Sequence, residues 1–251
     1  MDRWRGKVAL VTGASAGIGA AICRELVHHG MTVVGCARNH KRIEELAAEL
    51  KGSSGSLTAM HCDLTKSDEI EAMFCAITKQ FGGVDVCINN AGLNFTGGLL
   101  DGAIDKWRTI LDVNVLALAH CAQLAIKGMK DRDVTEGQVI NICSQAGHMV
   151  GPYPNSHFYT ATKFAVTALT EGLRQELAAD ETNKIRVAQL SPGLVKTEIV
   201  GRMLNDMARG DVIMAGGMDA SAIAKTVTFV MSLPPDVQVH DVLMRPTSQK
   251  R

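Results

Sequence analysis

The chain has 251 residues, 46% hydrophobic but only 4% aromatic, so it can bury a large core that must be mostly aliphatic. Lys and Arg (26) balance Asp and Glu (26), which leaves no electrostatic footprint for nucleic acid or an anionic membrane. No uninterrupted apolar run approaches the ~20 residues of a membrane span, and residues 1–6 are too polar for a secretory leader, so a cytoplasmic protein is expected.

Apolar strands alternate with amphipathic helices along the chain. Residues 7–12 (KVALVT) read as a buried strand. A helix follows over 17–29, with Ile18, Ala21, Ile22 and Leu26 at helical spacing, and Gly30 ends it. Residues 31–37 form a second strand and 40–51 a charged helix. The loop 52–56 is too short to link domains. A third strand spans 57–62. The third helix, 67–80, has Ser67 as its expected N-cap and Asp68 and Glu69 in its first turn. Residues 84–88 form a fourth strand, and one long helix is expected over 104–130. The fifth strand is 137–143, a helix covers 157–179, and the sixth strand is 185–190. An irregular Met-rich stretch (198–218), a helix (220–232) and a short strand (239–244) close the chain.

Repeated βα units with buried strands imply an α/β fold, a doubly wound parallel sheet of Rossmann type. No break in composition marks a second domain. The seven cysteines are odd in number, scattered and without a CxxC pair, and the eight histidines show no ligand spacing. Buried thiols in a reducing compartment are expected, with neither disulfides nor a metal.

The first strand runs into Thr12-Gly13-Ala14-Ser15-Ala16-Gly17-Ile18-Gly19. Glycines between a strand and a helix let backbone N–H groups approach a pyrophosphate at the helix N-terminus. Their spacing differs from G-x-G-x-x-G, but the strand–turn–helix frame favours a dinucleotide over packing alone. An NAD site has an acid at the end of the second strand. Here that place holds Ala37, followed by Arg38 and Asn39. A guanidinium suits a 2′-phosphate that a carboxylate would repel, so NADP(H) is expected. Arg42, Lys41 and His40 add positive charge or simply form a solvated helix face. Asp63 either accepts from the adenine amino group or closes a surface turn. Asn89-Asn90-Ala91-Gly92 either bridges strand ends beside the nucleotide or is an ordinary loop.

Tyr153 and Tyr159 are the only tyrosines, and Lys163 lies one helical turn beyond Tyr159. A tyrosine with a pKa of about 10 does little acid–base work near neutrality, and a nearby cation favours its phenolate. Alone, these residues are read more simply as a surface helix. The rest of the chain reverses that reading.

T-G-x-x-x-G-x-G at 12–19, N-N-A-G at 89–92, Asn114 in the long helix, Ser144 after the fifth strand, Y-x-x-x-K at 159–163 and P-G-x-x-x-T at 192–197 occur in that order. Together they resemble the classical short-chain dehydrogenase/reductase family over nearly the whole chain. The resemblance implies one domain over 1–251, with a cofactor half at about 1–143 and a catalytic and substrate half at about 144–251. It implies that Tyr159 is the general acid or base, that Lys163 tunes it and holds the nicotinamide ribose, and that Ser144 bonds the substrate oxygen. Asn114 would keep a helix kink and a proton-relaying water. The implied cofactor contacts are Gly13, Ser15, Gly17, Ile18, Gly19, Arg38, Asn39, Asp63, Leu64, Asn90, Ala91 and Gly92. Tyr159, Lys163, Pro192, Gly193, Val195 and Thr197 complete them at the nicotinamide end.

Ser144 and Tyr159 are 15 apart, longer than in many members, so a loop over 145–158 should border the substrate. That loop, the helix after Tyr159 and the M-R-P-T ending resemble a subgroup that uses NADP(H) on steroid or isoprenoid alcohols and ketones. Gln145 and Phe158 are expected to touch such an apolar substrate. Met203 and Met207 belong to a stretch read either as a lid over it or as a core-facing helix. A homo-oligomer, dimer or tetramer, is expected through the helices at 104–130 and 157–179. An NADP(H)-binding sensor or scaffold, and a nucleotide-sugar epimerase or dehydratase, are the alternatives. The intact Tyr–Lys set disfavours the first, and chain length and glycine spacing disfavour the second.

Overall fold

A computed structural model of the chain describes residues 1–200 and 214–249. Its seven strands are β1 (Val8–Thr12), β2 (Thr32–Ala37), β3 (Ser56–His61), β4 (Val86–Asn89), β5 (Gly137–Ile142), β6 (Ile185–Pro192) and β7 (Asp241–Met244). They form one sheet in the order β3-β2-β1-β4-β5-β6-β7, with every neighbouring pair parallel. Each of β1, β4, β5 and β6 is buried along its whole length, as strands covered on both faces must be. The strand order reverses between β1 and β4. Open α/β sheets bind their ligands at such a switch point, beyond the carboxyl ends of the strands.

Helices α1 (Gly17–His28), α2 (Lys41–Glu49), α3 (Ser67–Phe81), α4 (Ile104–Leu111), α5 (Leu118–Asp131), α6 (His157–Ala178) and α7 (Ala220–Ser232) cover the two faces. On one face Ile22 and Leu26 of α1 meet Ile223 and Val227 of α7 over Val11 and Ile88. On the other, Ile70 and Ile77 of α3 and Cys121 and Ala125 of α5 pack over Leu10 and Val139. Trp4 and Phe74 are the only buried Phe or Trp among the described residues, so the core is aliphatic as the composition requires. None of the cysteines is paired, and only Cys75 is exposed. Burial pushes the Cys23 and Cys87 thiols up to about 12, which keeps them protonated.

The helix expected over 104–130 is not continuous. A π turn, Asp112–Ala117, separates α4 from α5. Ser67 is not the N-cap of α3. The helix starts at Ser67 itself, and Lys66 holds the cap position without a side-chain bond. Glu69, in the first turn, reaches back to accept from the Asp63 N–H at 2.8 Å. The run Ile104–Asp131 is also longer and more apolar on average than the uninterrupted stretches suggested, with a mean hydropathy of 1.5 over its best window. It is long and apolar enough to cross a membrane, yet it packs on α3, β4 and β5 and includes the π turn. That packing is what a core helix of this sheet shows.

Candidate active site

The turn after β1 is built against the turn after β4. Thr12 Oγ1 accepts from the N–H groups of Asn90 and Ala91, both at 3.0 Å. Asn90 Nδ2 donates back to the carbonyls of Thr12 (2.9 Å) and Gly13 (3.2 Å). This close approach needs two glycines. Gly13 has φ +66°, and a Cβ there would lie 2.9 Å from Ala91 Cα. A Cβ on Gly19 would overlap the Gly13 carbonyl oxygen and sit 2.6 Å from Asn90 Nδ2. Ala16 caps α1 without a side-chain bond, so the first N–H groups of the helix are left for a ligand. Ser15 and Ile18 are half-buried in this turn. Thr197 stands across from it, with Cγ2 3.1 Å from where Gly17 would carry a Cβ.

Asn89 continues the network inward. Its Nδ2 donates to Asn141 Oδ1 (2.9 Å), and Asn141 Nδ2 donates to Thr170 Oγ1 (2.9 Å), so a buried amide chain ties β4 and β5 to α6. The Asn-Asn pair thus bridges strand ends and is not an ordinary loop.

Arg38 and Asn39 are exposed at the end of β2, and Arg38 has no ion pair among the described residues. Arg42 pairs with Glu198 at 2.8 Å on the exposed surface. Asp63 closes a turn, with Oδ1 accepting from the Thr65 N–H (3.1 Å) and hydroxyl (2.9 Å). Partial burial raises its carboxyl. The two Thr65 bonds, with Arg38 and Lys66 nearby, outweigh that and hold it below the usual carboxylate range. Leu64 beside it is half-buried.

Tyr159 and Lys163 lie on α6, with the ammonium 5.7 Å from the phenol ring centre. Lys163 is 4% exposed, and its Nζ donates to the Ile142 carbonyl at 3.0 Å. It has no carboxylate partner among the described residues. A buried ammonium with one backbone acceptor keeps two donors uncommitted, a costly state unless a ligand completes it. Asn114, in the π turn, is fully buried. Its Oδ1 accepts from the Leu93 N–H (2.9 Å), and its Nδ2 donates to the Leu93 carbonyl (3.0 Å) and to Thr162 Oγ1 (3.1 Å). Thr162 in turn donates to the Tyr159 carbonyl at 2.7 Å. A Cβ on Gly92 would be 3.6 Å from Asn114 Oδ1 and 3.8 Å from Lys163 Nζ, so the bare glycine opens onto both polar groups.

Ser144 caps the short 3₁₀ turn Gln145–Gly147, where its Oγ accepts from the Ala146 N–H at 3.1 Å. Its hydroxyl proton stays free to donate. Pro192 ends β6, and the Gly193 N–H donates to the Met244 carbonyl at 2.7 Å. Val195 is buried in the core and bridges to Met218. Phe158 stacks on Trp107 of α4, centroids 4.6 Å apart and 4° from parallel. Met203 and Met207, and the lid assigned to them, lie outside the described residues.

Sequence reasoning missed several neighbours. Gln145 is bound by Gln249, 104 positions away, through Gln249 Nε2 to Gln145 Oε1 at 2.8 Å. Behind Ser144, His148 Nε2 is 2.9 Å from Ser191 Oγ and 2.8 Å from Asp241 Oδ2. One ring nitrogen faces both partners, so this is not a hydrolytic Ser–His–Asp relay, which needs opposite nitrogens. No local spacing announces either contact.

A family model for short chain dehydrogenase matches residues 7–208. Dehydrogenase/reductase SDR family member 11 of Gallus gallus is 51% identical over 254 residues, covering 99% of both chains. Farnesol dehydrogenase of Aedes aegypti is 43% identical and covers 100% of both. An alcohol dehydrogenase from the archaeon Thermococcus sibiricus, complexed with 5-hydroxy-NADP, superposes with a TM-score of 0.85 at 28% identity, over 98% of this chain and 99% of that one. The closed form of serine dehydrogenase complexed with NADP⁺ matches with a TM-score of 0.85 at 29% identity, over 97% of this chain and 96% of that one. The chain belongs to the short-chain dehydrogenase/reductase family of oxidoreductases.

Proposed function

We propose that this oxidoreductase uses NADP(H) to interconvert an apolar alcohol, of steroid or isoprenoid type such as farnesol, with its ketone or aldehyde. The observation that carries the reading is the Lys163 ammonium, buried with no carboxylate partner among the described residues, on the same helix face as Tyr159 at the switch point of the sheet. The residues present fit a dinucleotide. Gly13 and Gly19 leave a cradle that a Cβ would fill, and the N-terminus of α1 has no side-chain cap. Ala37 and Arg38, which has no ion pair among the described residues, favour a 2′-phosphate over a bare ribose. The name of the Aedes aegypti relative supports an isoprenoid alcohol, and the NADP-bound structures support the cofactor.

Bound NADP(H) supplies or takes up the hydride. Tyr159 gives a proton to the carbonyl oxygen in reduction and removes it from the alcohol in oxidation. Lys163 balances the negative charge left on the phenol oxygen. The Ser144 hydroxyl, its oxygen already held by the Ala146 N–H, donates to the substrate oxygen as charge develops there. Asn114 fixes the Leu93 backbone and, through Thr162, the turn of α6 that carries Tyr159. Phe158, backed by Trp107, offers a flat apolar wall.

The test is steady-state turnover with NADPH and NADH on apolar ketones and aldehydes, and with NADP⁺ on farnesol and steroid alcohols. NADPH is expected to be preferred. Arg38→Ala should lower that preference about ten- to a hundredfold, the worth of a lost charged hydrogen bond. Nucleotide binding with no turnover on any substrate would favour a sensor or scaffold, and NADH preference would remove the role given to Arg38. The exposed Leu116 and Phe164 support pairing of the α4–α5 run and α6 between copies. Sedimentation should therefore give a dimer or tetramer, and a monomer would contradict it.

A further inference from the structure

Polar side chains from two distant stretches, one after β5 and one after β7, crowd the turn after β6. A Cβ placed on Gly193 would lie 2.5 Å from Gln249 Oε1, 3.2 Å from Gln145 Oε1 and 3.2 Å from Arg245 Cγ. Gln145 follows Ser144 directly, and Gly193 follows Pro192, so this crowd stands at the edge of the candidate active site.

The hydrogen bonds fix which way both amides face. The Leu194 N–H can only donate, and it donates to Gln249 Oε1 at 3.0 Å. Gln249 therefore presents Nε2 on its other side, where it donates to Gln145 Oε1 at 2.8 Å. Gln145 is left with Nε2 as its uncommitted group, and that nitrogen has no acceptor among the described residues. Arg245 can only donate as well. Its one side-chain bond among the described residues runs from Nη2 to the Met149 sulfur at 3.3 Å, a weak acceptor, and its Nε is buried without a partner. No described carboxylate pairs with it. A half-buried guanidinium with no oxygen acceptor has lost water and gained little in return.

We propose that Arg245 and Gln145, with Gln249 holding the Gln145 amide in place, form a donor-lined subsite beside Gly193 that binds an oxygen acceptor on the substrate remote from the reacting carbon. The acceptor is a carboxylate or a second carbonyl. The inference rests on the oxidoreductase reading above and narrows its substrate to an otherwise apolar molecule with oxygen functions at both ends.

The experiment is calorimetric titration of the protein–NADP⁺ complex with methyl ketones of graded chain length and with the matching oxo acids and diketones. At the best length, the wild type is expected to bind a bifunctional ligand about tenfold tighter than the plain ketone, the worth of one charge-assisted hydrogen bond. Arg245→Met should abolish that ratio, and Arg245→Lys should keep part of it for the oxo acids. Gln249→Ala, which leaves the guanidinium in place and frees the Gln145 amide, should lower it too. A gain for oxo acids alone assigns the subsite to a carboxylate, and an equal gain for diketones assigns it to a neutral oxygen. No preference in the wild type at any length, or a ratio that survives Arg245→Met, overturns the subsite. Binding is read without turnover, so a protein that binds these ligands but turns none over counts against the oxidoreductase reading alone.

Discussion

Tyr159→Phe is expected to lower kcat with every carbonyl or alcohol substrate by about a hundred- to ten-thousandfold, the usual contribution of a positioned acid or base. The substitution removes one oxygen and leaves the ring in place beside Lys163. The Thr162 hydroxyl bonds the Tyr159 backbone carbonyl, not the phenol, so the helix turn is also kept. NADP(H) affinity should therefore stay within a few-fold of wild type. A large fall in kcat with only a small change in affinity marks a group used mainly in the transition state. A variant with wild-type kcat would remove Tyr159 from the chemistry.

Gly19→Ala is expected to weaken NADP(H) binding by about ten- to a hundredfold, because relieving the added methyl costs about 1–3 kcal/mol. The methyl would overlap the Gly13 carbonyl and meet Asn90 Nδ2, and both belong to the lock between the β1 and β4 turns. A backbone carbonyl cannot swing aside as the tip of a lysine can. Relief must move the Gly13 turn or break the Asn90 bonds, and either spoils the cradle. Gly128→Ala is the control. Gly128 lies in α5, and a Cβ there meets nothing within 4 Å. That change should leave nucleotide binding alone and add roughly 0.5–1 kcal/mol of stability through helix propensity. Equal behaviour of the two variants would show that the glycine turn does not shape the site.

The strands and most helices were legible because their signals are local. Short apolar runs mark β1 and β4, β5 and β6 are mainly apolar but broken by Gln138, Asn141, Arg186 and Gln189, and the Tyr159–Lys163 spacing marks one face of α6. The turn glycines were legible in kind, although only the packed structure shows what each one touches. The π turn was not legible. Residues 112–117 carry no glycine or proline, and helical periodicity runs through them. What marks the break is Asn114 reaching Leu93, 21 positions earlier. Ser67 has the chemistry of a cap, but the helix begins at Ser67 itself, one residue from the expected boundary. The Trp107–Phe158 stack and the Gln249–Gln145 clamp join residues 51 and 104 apart. Such pairs follow from the folded arrangement, which sets α4 beside α6 and brings the segments after β5 and β7 together around the end of β6, and not from spacing along the chain.

The central claim is hydride transfer at this crevice with Tyr159 handling the proton. The most direct measurement uses NADPH deuterated on its transferring carbon, with the best ketone or aldehyde found, followed by mass analysis of the alcohol formed. The account predicts the label on the carbinol carbon with the wild-type protein, and label transfer slowed by orders of magnitude in Tyr159→Phe while the nucleotide still binds. Label transfer at the wild-type rate in Tyr159→Phe, or tight nucleotide binding with no labelled product from any carbonyl compound, would contradict it.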